Sequence, residues 1–95
     1  MYGYWAVRLR VKIRVYMDLV TKLGWKENDI VVHGESSTLR EVLERIQELR
    51  SFLNGEFTER FIVLINGVNS RFSGGLFARV KDGDVVDIFP PAGGG

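Results

Sequence analysis

Apolar and basic residues alternate without a break over residues 7–15, Val-Arg-Leu-Arg-Val-Lys-Ile-Arg-Val. A period of two is the mark of a half-buried strand. Val7, Leu9, Val11, Ile13 and Val15 form its apolar face, and Arg8, Arg10, Lys12 and Arg14 the other. Residues 18–24 read as a short connection with one helical turn, stopped at Gly24. A second, short strand runs from Ile30 to His33 and ends at Gly34.

The period then changes. Leu39, Val42, Leu43, Ile46 and Leu49 recur at three- and four-residue steps, which places them on one face of a helix. Thr38 and Glu41 predict a capping box at its start, Glu41–Arg45 an i,i+4 pair, and Asn54-Gly55 a C-cap after Phe52 and Leu53. Ser36, Ser37 and Thr38 are read as capping residues. Phe61 to Ile65 is an unbroken apolar run, read as a strand, and Asn66-Gly67 predicts a type I′ hairpin turn. Ser73-Gly74-Gly75 is read as a flexible loop. Lys81-Asp82-Gly83-Asp84 predicts another turn, followed by a last strand from Val85 to Phe89 that Pro90-Pro91 stops. Strand, strand, helix, strand or hairpin, strand implies a mixed α+β sheet with the main helix on one face. The right-handed crossover rule puts the first and last strands side by side if they are parallel.

Composition narrows the chemistry. At 95 residues, 45% hydrophobic, the chain is read as a single domain, 1–95, with residues 1–6 an N-terminal extension and 90–95 a tail. No cysteine is present, which excludes disulfides, thiolate metal sites and thiol nucleophiles. His33 is the lone histidine, so a histidine-rich metal site is excluded too. Asp82 and Asp84 do not continue into a calcium-loop pattern, and no lysine-serine pair follows Ser73-Gly74-Gly75 to make a phosphate loop. No metal site and no acid–base pair is expected, which argues against an independent enzyme. The N-terminus has no signal-peptide pattern and no apolar run is long enough to span a membrane, so a cytoplasmic protein without a membrane partner is expected.

The formal net charge of +1 gives no bulk argument for a nucleic-acid partner. The basic stripe reads either as a solvated face, with Asp87 offsetting part of its charge, or as a docking surface for an acidic partner. The second reading gains if part of Phe61–Ile65 emerges on the same face. Stacking aromatics beside the stripe are not evident, which disfavours RNA.

Three of the 11 glycines are Gly93, Gly94 and Gly95. A frayed terminus is the plain reading of such an end. Against it, a stiff diproline exit leads to residues without side chains, able to enter a slot that would reject a β-carbon. Six extended residues, Pro90 to Gly95, reach roughly 20 Å.

These features together resemble a family. The strand order, the Val11-Lys-Ile-Arg-Val-Tyr strand, the Thr38-Leu-Arg-Glu-Val-Leu helix start, Ile65-Asn-Gly-Val, and Asp82-Gly-Asp-Val-Val-Asp-Ile-Phe-Pro-Pro-Ala-Gly-Gly-Gly resemble the ubiquitin-like sulfur carriers, above all the molybdopterin synthase small subunits (MoaD-type). The resemblance implies a β-grasp fold and a Gly-Gly tail expected to be flexible. It implies a protein not catalytic alone. Its Gly95 carboxylate, preceded by Gly94, would be adenylated by a ubiquitin-activating-type enzyme and converted to a thiocarboxylate by a sulfur donor. ATP and magnesium would belong to that enzyme, with no cofactor on this chain. The tail would then enter the molybdopterin synthase large subunit, delivering sulfur for molybdenum or tungsten cofactor biosynthesis. Phe89, Pro90, Pro91, Ala92 and Gly93, with Arg8, Arg10, Ile62 and Leu64, are the implied partner-binding residues. Two alternatives stay open: a protein modifier or tRNA-thiolation sulfur carrier, and a β-grasp binding module whose tail is idle.

Overall fold

The first strand and the last lie side by side and parallel, and the rest of the chain is arranged around that pair. The computed structural model describes residues 7–91. β1 (Arg8–Val15) pairs with β2 (Glu27–His33) antiparallel on one side and with β7 (Val85–Phe89) parallel on the other. β4 (Ile62–Ile65) joins β7 antiparallel and carries β5 (Val68–Asn69), which gives a five-stranded sheet in the order β2-β1-β7-β4-β5. Three short helices, α1 (Asp18–Leu23), α2 (Leu39–Leu43) and α3 (Phe57–Arg60), fill the connections.

Alternation decides what each strand buries. Leu9, Val11, Ile13 and Val15 are buried with Val63, Val86 and Ile88 beneath Leu39, Val42, Leu43 and Leu49. Val7 does not join them; it precedes β1 and is 38% exposed. β2 begins at Glu27, three residues earlier than the apolar pattern suggested, because its first residues are polar on both faces. Gly24 ends α1 in the left-handed conformation, as its position predicted.

The long helix expected after Thr38 is not continuous. The capping box forms, with Glu41 N donating to Thr38 Oγ1 at 3.1 Å and Thr38 N to Glu41 Oε1 at 3.2 Å. Yet α2 stops at Leu43. Ile46 turns extended, and a 3-10 segment, Gln47–Phe52, follows. The break keeps Ile46, Leu49 and Leu53 buried while leaving Phe52 44% exposed. Two arginines satisfy carbonyls near it: Arg50 Nε donates to Glu44 O at 2.8 Å, and Arg40 Nη1 to Leu53 O at 3.0 Å. Glu41 is committed to the cap, and the ion pair on this helix is Arg40–Glu44 at 3.5 Å rather than Glu41–Arg45. Asn54 does not cap the helix behind it. Its side chain accepts from Glu56 N at 2.9 Å and leads into α3, which the pattern did not reveal.

Two further differences lie in the loops. Ser36–Thr38 forms β3 and pairs with β6 (Arg79–Lys81) as a small second sheet, so Thr38 ends a strand as well as capping α2. Ser73-Gly74-Gly75 is not an open loop. Two 3-10 turns, Ser70–Ser73 and Gly75–Phe77, meet at Gly74. Gly75, at φ +63°, lies so near α3 that a Cβ there would stand 2.7 Å from Thr58 Oγ1. The hairpin at Asn66-Gly67 has both residues at positive φ, as a type I′ turn requires. No helix among the described residues is long and apolar enough to cross a membrane.

Candidate functional site: the open sheet face and the root of the tail

The helices cover one face of the sheet. The registers define the other, row by row. Phe89 stands beside Ile62; Arg14 lies between Glu27 and Asp87, with Leu64 beyond; Lys12 lies between Asp29 and Val85; Arg10 stands beside Val31, and Arg8 beside His33. Ile62 and Leu64 therefore do emerge on the face of the basic stripe, while Val63 between them is fully buried. This is the arrangement under which the docking-surface reading gains over a merely solvated face.

The expected partner-binding residues separate into two groups. Phe89, Pro90, Ile62 and Leu64 gather where β7 ends, and the exposed Pro91 is the last described residue. Ala92, Gly93, Gly94 and Gly95 lie outside the described residues, as does the extension 1–6. Arg8 and Arg10 are at the opposite end. Gly83 N donates to Arg10 O at 2.9 Å, so Arg10 is level with the turn before β7. Six residues of strand separate Gly83 from Phe89, about 20 Å.

The cations of the stripe are not equivalent. Lys12 Nζ lies 3.6 Å from both Glu27 and Asp29. Arg14 grips Asp87 through Nε at 2.6 Å and Nη2 at 3.0 Å, a two-point fork on one carboxylate. Arg8 and Arg10 form no ion pair among the described residues. Solvation with internal offset thus describes the half of the stripe nearer the tail, and the half farther from it holds cations without an ion pair among the described residues.

Asp87 is also the centre of the tail root, a role that alternation alone did not assign. It is buried despite its charge. Its Oδ1 accepts from Tyr16 Oη at 2.7 Å as well as from Arg14. Those donors hold the Asp87 carboxyl below the usual carboxylate range, Arg14 most of all, against a desolvation that opposes them. The same bond to Asp87 raises the Tyr16 hydroxyl. The Tyr16 ring in turn stacks on Phe89, centroids 4.3 Å apart and planes 9° from parallel. Tyr16 N donates to Ile88 O at 3.2 Å. Backbone, ring and hydroxyl of one residue thus fix the last three residues of β7 before the diproline. The signal in the sequence was a tyrosine directly following an alternating strand. It becomes readable only once β1 and β7 are known to be neighbours.

What this arrangement can do chemically is limited. At neutral pH Tyr16 is protonated and Asp87 ionised, each committed to the other. Asp84 is engaged in its turn, accepting from Lys81 N at 2.8 Å and Asn66 Nδ2 at 3.0 Å, and Asp82 accepts from Arg10 N at 2.8 Å. Among the described residues no three His, Asp or Glu side chains are grouped to hold a metal. His33 is exposed at the end of β2. The Tyr16 contacts fix the last residues of β7 up to Pro90-Pro91.

Comparison with known proteins places this geometry. The ThiS family model matches residues 13–95. A chain in the crystal structure of the Amycolatopsis orientalis BexX/CysO complex is 32% identical, with a TM-score of 0.67 over 90% of this chain and 99% of that one. The small archaeal modifier protein 1 of Methanosarcina acetivorans is 26% identical, TM-score 0.67, over 93% of this chain and 98% of that one. A molybdopterin converting factor subunit 1 of Pyrococcus furiosus, described as putative, shares the fold at 23% identity and TM-score 0.65, over 88% of this chain and 99% of that one. No match emerges among curated proteins.

Proposed function

The chain belongs to the ThiS family of ubiquitin-like sulfur carriers, and on that premise we propose that its terminal glycine, Gly95, is the working group. An adenylating partner would join the Gly95 carboxylate to the α-phosphate of ATP with loss of pyrophosphate. A carboxylate is a poor electrophile, and the adenylate supplies a leaving group. The outer sulfur of a donor persulfide would then displace AMP to form an acyl disulfide, and a second thiol would take the donor sulfur into a disulfide, leaving a thiocarboxylate at Gly95. Sulfur transfer to a molybdopterin precursor, in complex with a large molybdopterin synthase subunit, is the destination we favour.

The observation that carries this reading is the tail root. Phe89, fixed by Tyr16, directs Pro90-Pro91 off the sheet beside Ile62, which is 46% exposed. An anchored exit beside an apolar patch suits insertion of a chain end into a second protein. The groups near that exit are committed to one another, so adenylation would depend on catalytic groups supplied by the partner.

Incubation with an adenylating enzyme that serves carriers of this family, ATP, magnesium, a persulfide donor and a free thiol tests it by intact mass. A gain equal to replacing one oxygen by sulfur is expected. An unchanged mass with an enzyme that charges its own carrier would overturn it. Similarity to a small archaeal modifier favours one other reading, an isopeptide bond from Gly95 to a lysine. Higher-mass conjugates that vanish on deletion of Gly94-Gly95 would identify that outcome.

A further inference from the structure

Among the described residues β2 is an edge strand, with no strand on its outer side. Antiparallel pairs alternate between residues that exchange backbone hydrogen bonds and residues that do not. Val15 N donates to Lys26 O at 2.9 Å, and Gly34 N to Val7 O at 2.8 Å. In this register the bonded positions on β2 are Asn28, Ile30 and Val32. Glu27, Asp29, Val31 and His33 therefore point their N–H and C=O groups outward, and these same residues put their side chains on the open face.

The two halves of that edge differ. Glu27 and Asp29 carry charges, a usual guard against edge pairing, and both are paired with Lys12. Ile30-Val31-Val32-His33 carries no carboxylate and no lysine, and Val31 is 39% exposed. That unguarded half stands beside the two arginines with no ion pair among the described residues, Arg10 next to Val31 and Arg8 next to His33. Asp82 borders the corner, with its Oδ1 held by Arg10 N. Outward backbone groups, an exposed apolar side chain and two arginines without an ion pair among the described residues coincide at this corner, with Asp82 at its border.

We propose that the Val31–His33 end of β2, with Arg8 and Arg10, is a docking site for an extended acidic segment of a partner protein, added as a sixth strand. Side chains of that strand on the open face lie about 5 Å from those of β2 and about 10 Å from those of β1. Arginine reaches across that second interval, whereas a lysine-bearing segment would be repelled. This site is about 20 Å from the tail root and independent of the tail's chemistry.

A ¹⁵N-labelled full chain is titrated with an eight-residue peptide alternating valine and glutamate. Three comparison probes are its lysine counterpart, the glutamate peptide with alternate amides N-methylated, and oligouridylate. Expected are amide shifts confined to residues 30–33 and the neighbouring part of β1. Binding should weaken at least tenfold on raising salt to 0.5 M or on Arg8→Glu/Arg10→Glu, because exposed charges are screened. The lysine peptide should bind the double-glutamate variant in its place. Val31→Pro removes an outward N–H and no bond to β1, so it should keep the fold and lose the glutamate peptide. Equal binding of the lysine or N-methylated peptide to the unaltered chain, shifts centred on Ile62 and Phe89, or tighter binding of oligouridylate to the same residues would each overturn the proposal. So would no shift at millimolar peptide.

Discussion

Tyr16 lies flat against Phe89, 4.3 Å between ring centroids, with its hydroxyl on Asp87 two residues earlier in the same strand. One residue at the end of β1 therefore holds β7 at two points on the same side. A stacked aromatic pair contributes about 1 kcal/mol beyond burial, and a hydrogen bond to a charged group, here partly solvated, about as much. A double-mutant cycle on Tyr16→Ala and Phe89→Ala should show a coupling of about 1 kcal/mol in urea unfolding. Tyr16→Phe should keep the stacking and lose about 1 kcal/mol with the hydroxyl. Additive losses would mean the two rings do not support one another.

Acid should expose the Asp87 anchor. Its folded carboxyl titrates below the unfolded value, with Arg14 the leading cause. A depressed carboxyl contributes stability that is present above the unfolded value, near pH 4, and lost as pH falls through the folded one. Urea midpoints for the parent should therefore drop below about pH 4 more steeply than those of Asp87→Asn. At the alkaline end the sign reverses. The raised Tyr16 hydroxyl favours folding below its unfolded value near 10 and ceases to do so as pH climbs through the folded one. Parallel midpoint curves for the two proteins in acid would contradict the assignment.

Gly75→Ala should cost about 2 kcal/mol, since positive φ and a steric contact act together. The added Cβ would stand 2.7 Å from Thr58 Oγ1. Adding Thr58→Ala should lessen the penalty of Gly75→Ala, leaving the backbone strain. A penalty of equal size in both backgrounds would show that the contact with α3 plays no part.

Removing the Thr38 cap by Thr38→Ala should cost about 1 kcal/mol. Glu41 answers as well, because its carboxyl is held low first by the Thr38 backbone N–H and then by the hydroxyl. An NMR titration of Glu41 in Thr38→Ala should find it shifted upward. An unmoved value would separate the cap from the charge.

Two variants distinguish the exit from the group it delivers. Deletion of Gly95 should abolish thiocarboxylate formation with no change in thermal midpoint. Ile62→Asp alters an exposed side chain and should leave stability within about 0.5 kcal/mol. It should weaken the complex with the adenylating partner, raising KM more than it lowers kcat. Normal KM would remove Ile62 from the docking surface.

The sequence alone determined what local chemistry controls. Alternation set the buried face of β1, and two residues wanting positive φ set the turn at Asn66-Gly67. Thr38 and Glu41 set the cap of α2, and Pro90-Pro91 the end of β7. It also supplied Gly93-Gly94-Gly95, residues able to enter a slot that would reject a β-carbon. Tertiary structure decided what depends on neighbours distant in the chain. The helix after Leu43 breaks at Ile46, with Arg40 and Arg50 taking up nearby carbonyls and with Ile46, Leu49 and Leu53 still buried. A stripe of four cations looks uniform along β1, yet an ion pair depends on what stands across the ladder. β2 and β7 bring carboxylates to Lys12 and Arg14 and none within ion-pair distance of Arg8 or Arg10. Periodicity assigns a side chain to a face; only the register assigns it a partner.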